Sequence, residues 1–172
     1  MNDVIYIWYY VFIDEDLKKR GRNPQDYEIR GYSYDENIDF NEIMEGNDDN
    51  GLYVGIIDNE LEIIYYKIEK HVWKQGNFKE SNDEIGLEDE NHELAYEQMT
   101  AMGLKVNSGF KFGADYRVYS ENEEHAPWIV IVCNNEMKWL EMARAVRVSH
   151  AVKKNLVFWV NDAWITVKWI RL

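Results

Sequence analysis

The chain of 172 residues has one cysteine, two prolines and more acid than base, with 32 Asp and Glu against 19 Lys and Arg. A single thiol excludes an internal disulfide framework, and the place of Cys133 inside WIVIVC predicts a small buried strand residue. No apolar run is long enough for a membrane span. The longest near the start, VIYIWYYVFI, has about half the required length and is bounded by Asp3 and Asp14. A basic segment before that run and small residues after it are both missing, so no secretory leader is expected and a cytoplasmic setting is. His71, His92, His125 and His150 lack zinc-like spacing, and no H-E-x-x-H or paired-cysteine motif occurs. The strands also lack the acidic clusters of two-metal sites, and no glycine-rich phosphate loop occurs. We therefore expect neither a metal nor a cofactor.

What is present is an apolar fraction of 46% with 15% aromatic residues, enough to bury one or two compact cores. The net charge of −13 argues, as an average, against nucleic acid. The average conceals a division: the balance is −17 before His125 and +4 from it onward. A local basic surface in the C-terminal part remains compatible with phosphate.

The acidic, glycine-containing stretch GNFKESNDEIGLEDENHE, residues 76–93, is the best boundary. It separates an N-terminal structural or assembly domain, 1–85, from a second domain, 86–172. In the second, ELAYEQMTAMG predicts a helix stopped at Gly103. FKFGADYRVY predicts a strand with Phe110, Phe112, Ala114, Tyr116 and Val118 on one face and Tyr119 on the more polar one. WIVIVC predicts a buried strand, EMKWLEMARAVRVSHAVKK an amphipathic helix with a basic side, and LVFWV-ND-AWITVKWIRL a hairpin. In the first domain, IYIWYYVFIDEDLKKRG suggests a helix ending at Gly21, and GLYVGIIDNELEIIYYKIE a hairpin turning at Asp58 and Asn59. That helix and hairpin suggest a reduced copy of the second half. The fold class is α+β, a mixed sheet with helices preceded by a smaller mixed α/β domain.

Tyr119, His125 and the pair Lys153 and Lys154 are the residues with chemical promise. Each also has an ordinary explanation, as a packed tyrosine, a surface histidine and lysines closing a helix. Together they match one reaction. Moving a ribose 2′-OH onto its neighbouring phosphate needs a base, an acid for the leaving 5′-oxygen and a cation for the charged phosphorane. Tyrosine, histidine and lysine can supply all three.

GLKVNSGFKFGADYRVYSENEEHAPWIVIV followed by LEMARAVRVSHAVKKNLVFWV resembles the catalytic domain of the tRNA-splicing endonucleases, the archaeal tRNA-intron endonuclease family. The resemblance runs from about Leu94 to the C-terminus. It implies Tyr119 as general base, His125 as general acid and Lys154 as the transition-state cation, with Lys154 preferred to Lys153 because one residue separates the family lysine from the apolar run. Tyr116 stands where the family more often has Phe. The resemblance further implies metal-free cleavage of precursor tRNA at bulge-helix-bulge sites, with 2′,3′-cyclic phosphate and 5′-hydroxyl ends. Arg147 matches a residue that grips a flipped-out bulge base, and its partner is one of Lys168, Trp169 and Arg171. A homo-oligomer or a paired catalytic and structural chain is implied, since family members act as four-unit assemblies. Two features depart from the pattern: the short acidic loop SENEE, and an N-terminal half that does not align. A non-catalytic structural subunit is the alternative reading, and an unrelated acidic interaction protein a third.

Overall fold

Valine, isoleucine and the aromatic residues favour extended backbone, and the run VIYIWYYVF forms a strand, β1 (Val4–Phe12). The helix expected from Ile5 is thus corrected over residues 5–12; the remainder, to Gly21, lies outside the described residues. A continuous apolar run does not distinguish helix from buried strand. Pairing decides it, for β1 is flanked on both sides. It runs antiparallel to β2 (Tyr27–Ser33), with Trp8 opposite Tyr32, and to β3 (Leu52–Asp58), with Trp8 opposite Gly55. The computed structural model describes residues 4–12, 27–33, 35–41, 43, 52–58, 62–78, 87–134 and 136–170.

The chain divides into two compact units. The first comprises the described residues of Met1–Lys70, Glu136–Arg144 and Val167–Leu172; the second comprises those of His71–Asn135 and Ala145–Thr166. In the first, strands lie in the order β2-β1-β3-β4, all antiparallel, where β4 is Ile63–Lys70. β3 and β4 form the expected hairpin, with Ile57 opposite Ile63 and Leu52 opposite Ile68. Asn59 of the expected turn lies outside the described residues.

The second unit carries the helix α1 (Glu90–Ala101), the strands β5 (Lys105–Ser108), β6 (Tyr116–Tyr119), β7 (Trp128–Cys133) and β8 (Asn155–Val160), and the first half of β9 (Ala163–Ile170). A second helix, α2 (Trp139–Ala151), links β7 to β8 in sequence. The order is β9-β8-β7-β6-β5, antiparallel except for β7 and β8, which run parallel with Val130 opposite Val157. A parallel pair needs a long crossover, and α2 supplies its length. Asn161 and Asp162 both have positive φ, 48° and 65°, the geometry that a two-residue hairpin turn demands.

The core of this unit joins Ala95 and Met99 of α1 to Val106, Tyr116, Val118, Val130, Val132, Val157 and Trp159 of the sheet, with Trp73 and Leu104. Cys133 is buried, as expected. α1 stops at Gly103, whose φ of 76° suits the expected glycine stop. A strap from Trp73 to Phe78 lies against that stop: Gly76 N–H donates to the Met102 carbonyl (2.9 Å) and Phe78 N–H to that of Gly103 (2.9 Å). A Cβ on Gly76 would sit 2.3 Å from the Gly103 carbonyl oxygen, so the approach requires glycine. Among the described residues no helix is long and apolar enough to cross a membrane.

Candidate functional site

The segment before β6 differs from the expected strand. Phe110–Phe112 form one 3-10 turn closed by Gly113 at φ 69°, and extended pairing begins only at Tyr116. The two glycines explain this: Gly109 lies so close to β6 that a Cβ would meet the Tyr116 backbone at 2.8 Å, and Gly113 takes a left-handed conformation. The turn leaves Phe110 exposed and half-buries Phe112. Within β6 the alternation holds. Tyr116 and Val118 are buried, while Arg117 and Tyr119 share the other face and are half-buried.

β5, which the sequence reading did not find, sets Lys105 opposite Tyr119. The Lys105 Nζ lies 5.6 Å from the Tyr119 ring centroid, a cation–π contact. Phe78, Lys105, Tyr119, Asn122, Glu123 and Glu124 line an open cleft of about 370 Å³. Tyr116 contrasts with Tyr119. Its hydroxyl donates to the His92 carbonyl (3.0 Å), and burial, then the Asp115 charge, push its pKa far up. Tyr116 is therefore a fixed neutral donor.

His125 is exposed in the loop between β6 and β7, with buried Ala126 beside it. The end of α2 meets this loop. Lys153 takes φ 57° after the last helical turn, and the chain then presents Lys154 to the loop. The Lys154 Nζ donates to the Ala126 carbonyl, and Asn155 N–H donates to that of Pro127 (2.9 Å). The same Nζ lies 4.9 Å from the Phe112 ring centroid. Burial, then the charges of Lys111 and Arg117, hold the Lys154 ammonium below the ordinary lysine range. Lys153 is exposed.

The acidic loop does not present all its charge freely. Glu121 pairs with Lys74 (3.7 Å), and Glu123 accepts from the Glu121 N–H (3.1 Å) and the Ser120 hydroxyl (3.5 Å). Arg147 is exposed on α2, and Lys168 and Trp169 are exposed on β9; Arg171 lies outside the described residues. Lys105, Lys111 and Arg117 are the neighbours that sequence reasoning missed. A four-residue strand, KVNS, carries too little pattern to be recognised, and without it the pairing of Lys105 with Tyr119 has no visible signal.

One further cluster of titratable groups stands at the start of α1. Asp89 caps the helix, accepting from the His92 N–H (2.9 Å) and bonding the His92 Nδ1 (2.8 Å), while Nε2 lies 3.1 Å from the Asp115 Oδ1. Glu88, His92 and Asp115 place ligand atoms within 4.8 Å of one another. Both ring nitrogens are already engaged, however, so a charged imidazolium held between two carboxylates accounts for the arrangement. Burial opposes that charge, and the hydrogen bonds and charges of Asp89 and Asp115 outweigh it, raising the His92 pKa. The His92 N–H bond, then its ring, lowers that of Asp89.

The signs define a pH window. The raised histidine contributes its full stabilisation below its unfolded pKa of about 6.5 and loses it as pH climbs through the folded value. The lowered aspartate contributes fully above about 3.9 and loses it as pH falls through its folded value. Urea unfolding is expected to show the cluster strongest between about pH 4 and 6.5, and His92→Gln should remove the decline on the alkaline side. An unchanged pH profile in that variant would sink the clamp.

Residues 90–169 match the family model described as the tRNA intron endonuclease catalytic C-terminal domain. The chain is similar to proteins named tRNA-splicing endonuclease. One from Pyrococcus abyssi is 28% identical over 126 residues, covering 69% of this chain and 68% of the relative. One from Thermoplasma volcanium is 35% identical over 85 residues, 49% of this chain and 28% of the relative. A third, from Saccharolobus solfataricus, is 37% identical over 87 residues, 45% of this chain and 48% of the relative. The matches thus span about half or less of the second and third proteins.

Proposed function

Since residues 90–169 belong to the tRNA intron endonuclease family as its catalytic C-terminal domain, we propose that this chain is an RNA endonuclease that excises introns from precursor tRNA at bulge-helix-bulge sites. The observation that carries the reading is the meeting of the His125 loop with the end of α2, where the Lys154 Nζ donates to the carbonyl of Ala126. It ties Lys154 to the residue that follows His125, from a position far away in sequence.

In this mechanism Tyr119 removes the proton of the ribose 2′-OH, and the 2′-oxygen attacks the adjacent phosphorus. Lys154 faces the phosphorane, whose extra negative charge its ammonium offsets. His125 gives a proton to the departing 5′-oxygen. The 2′-O–P bond forms as the P–O5′ bond breaks, leaving a 2′,3′-cyclic phosphate and a 5′-hydroxyl. No step requires a metal. The position of Tyr119 favours it over Tyr116 as the base, because the Tyr116 hydroxyl is already donated to a carbonyl in the core.

In the same reading, residues 86–172 are the catalytic part and 1–85 serve assembly, with further copies or a paired chain completing the enzyme in the cytoplasm. Arg147 stacks on a bulge base with one of Lys168, Trp169 and Arg171. The test is cleavage of an end-labelled bulge-helix-bulge RNA by the purified chain in EDTA. Cuts in the bulges that leave cyclic phosphate support the proposal. RNA bound but uncut under all conditions makes the chain a structural subunit instead.

A further inference from the structure

Aspartate and glutamate outnumber lysine and arginine by 32 to 19, yet few of the described basic side chains are ion-paired, and Lys111, Arg117 and Lys154 are among those that are not. Among the described residues no ion pair involves any of them. Lys111 and Lys154 lie at one aromatic ring, their Nζ atoms 5.2 and 4.9 Å from the Phe112 centroid. The Arg117 Nε is buried and has no hydrogen-bond partner. Arg117 stands two residues before Tyr119 on the same face of β6, so it belongs to the polar side of the sheet and not to its core.

Gathering like charges is unfavourable, and the cost registers on Lys154, whose ammonium Lys111 and Arg117 help to destabilise. Among the described residues no ion pair joins Glu121, Glu123 or Glu124 of the acidic loop to these three cations, and Glu121 pairs with Lys74 instead. An anion would offset the repulsion and give the Arg117 Nε an acceptor, which suits the planar fork of arginine.

We propose that Lys111 and Arg117, together with Lys154, form a phosphate-binding site that holds a phosphodiester of the RNA backbone beside the His125 loop. The proposal rests on the nuclease reading for the identity of the strand. It assigns Lys111 and Arg117 a positioning role, distinct from the proton transfers of Tyr119 and His125.

The probe is a bulge-helix-bulge RNA carrying 2′-O-methyl groups at the cleavage positions, which binds but cannot react. Its dissociation constant, measured by fluorescence anisotropy across a salt series, reports the number of phosphate contacts. Lys111→Ala and Arg117→Met are each expected to lower the salt slope by about 0.7, the value for one contact to a single strand. Tyr119→Phe should leave it unchanged. Lys111 is exposed, so its variant tests the site without disturbing the core. As an independent readout, inorganic phosphate should raise the titration midpoint of the Lys154 ammonium in the wild type, followed by lysine NMR, and do so less in Arg117→Met. Wild-type slopes in both variants, or no response of Lys154 to phosphate, would overturn the proposal. The two readings fail separately: falling slopes without any cleavage of unmodified RNA reject the nuclease and retain the phosphate site, whereas cleavage with unchanged slopes rejects the phosphate site alone.

Discussion

His125→Ala is expected to cut a bulge-helix-bulge RNA about 10²- to 10⁴-fold more slowly than the wild type under single-turnover conditions, the range for loss of one proton-transfer group. The 5′-oxygen of a nucleotide is a poor leaving group unless it is protonated as the P–O5′ bond breaks, so the acid acts in the transition state and the loss falls on the chemical step. Binding of the uncleavable RNA should change little, since an exposed histidine supplies one contact among many. Exposure also means that the substitution removes no core packing, so a slow variant is not a misfolded one. A substrate with a better leaving group in place of the 5′-oxygen should recover much of the rate, because such a group departs without a proton. Undiminished cleavage by His125→Ala would remove His125 from the mechanism, and slow cleavage that the better leaving group does not rescue would give it another role.

The largest expected loss of stability follows substitution of Trp159. Its side chain is 2% exposed in β8, between Val132 of β7 and Trp164 of β9, and its Nε1–H donates to the Gln98 Oε1 of α1 at 3.1 Å. Trp159→Ala leaves a cavity where helix and sheet meet and should lower the unfolding free energy by about 3–5 kcal/mol. Against a total of roughly 5–15 kcal/mol for a domain, that brings the second unit close to unfolding. Trp159→Phe retains most of the apolar volume but loses the hydrogen bond to Gln98, for a smaller loss of about 1–2 kcal/mol. Urea unfolding of the three proteins checks the order. A loss below about 1 kcal/mol for the alanine variant would contradict the packing of α1 against β8.

The polar side of the candidate site was more legible than its backbone. Alternation placed Tyr119 opposite Tyr116 and Val118 even though the strand was expected to begin at Phe110 and begins at Tyr116. The face of a residue depends only on the local period of two, which survives an error in where the strand starts. The 3-10 turn escaped notice because Phe110, Phe112 and Ala114 continue the apolar alternation, while the close approach of Gly109 to β6 leaves no mark in the pattern.

By itself the sequence determined the features with local causes. Gly103 ends α1, Asn161 and Asp162 make the last hairpin, and WIVIVC is a buried strand, since turn geometry and hydrophobic period act within a few residues. The tertiary structure decided what depends on distant partners. It made Val4–Phe12 a strand by pairing it on both sides, and it set Lys105 against Tyr119 through the register of β5 and β6. It also brought Lys154 to Ala126, 28 residues away, and Lys111 to the same Phe112 ring. Such meetings follow from strand order and register, which are fixed by the packing of the whole sheet, and no short stretch of sequence carries that information.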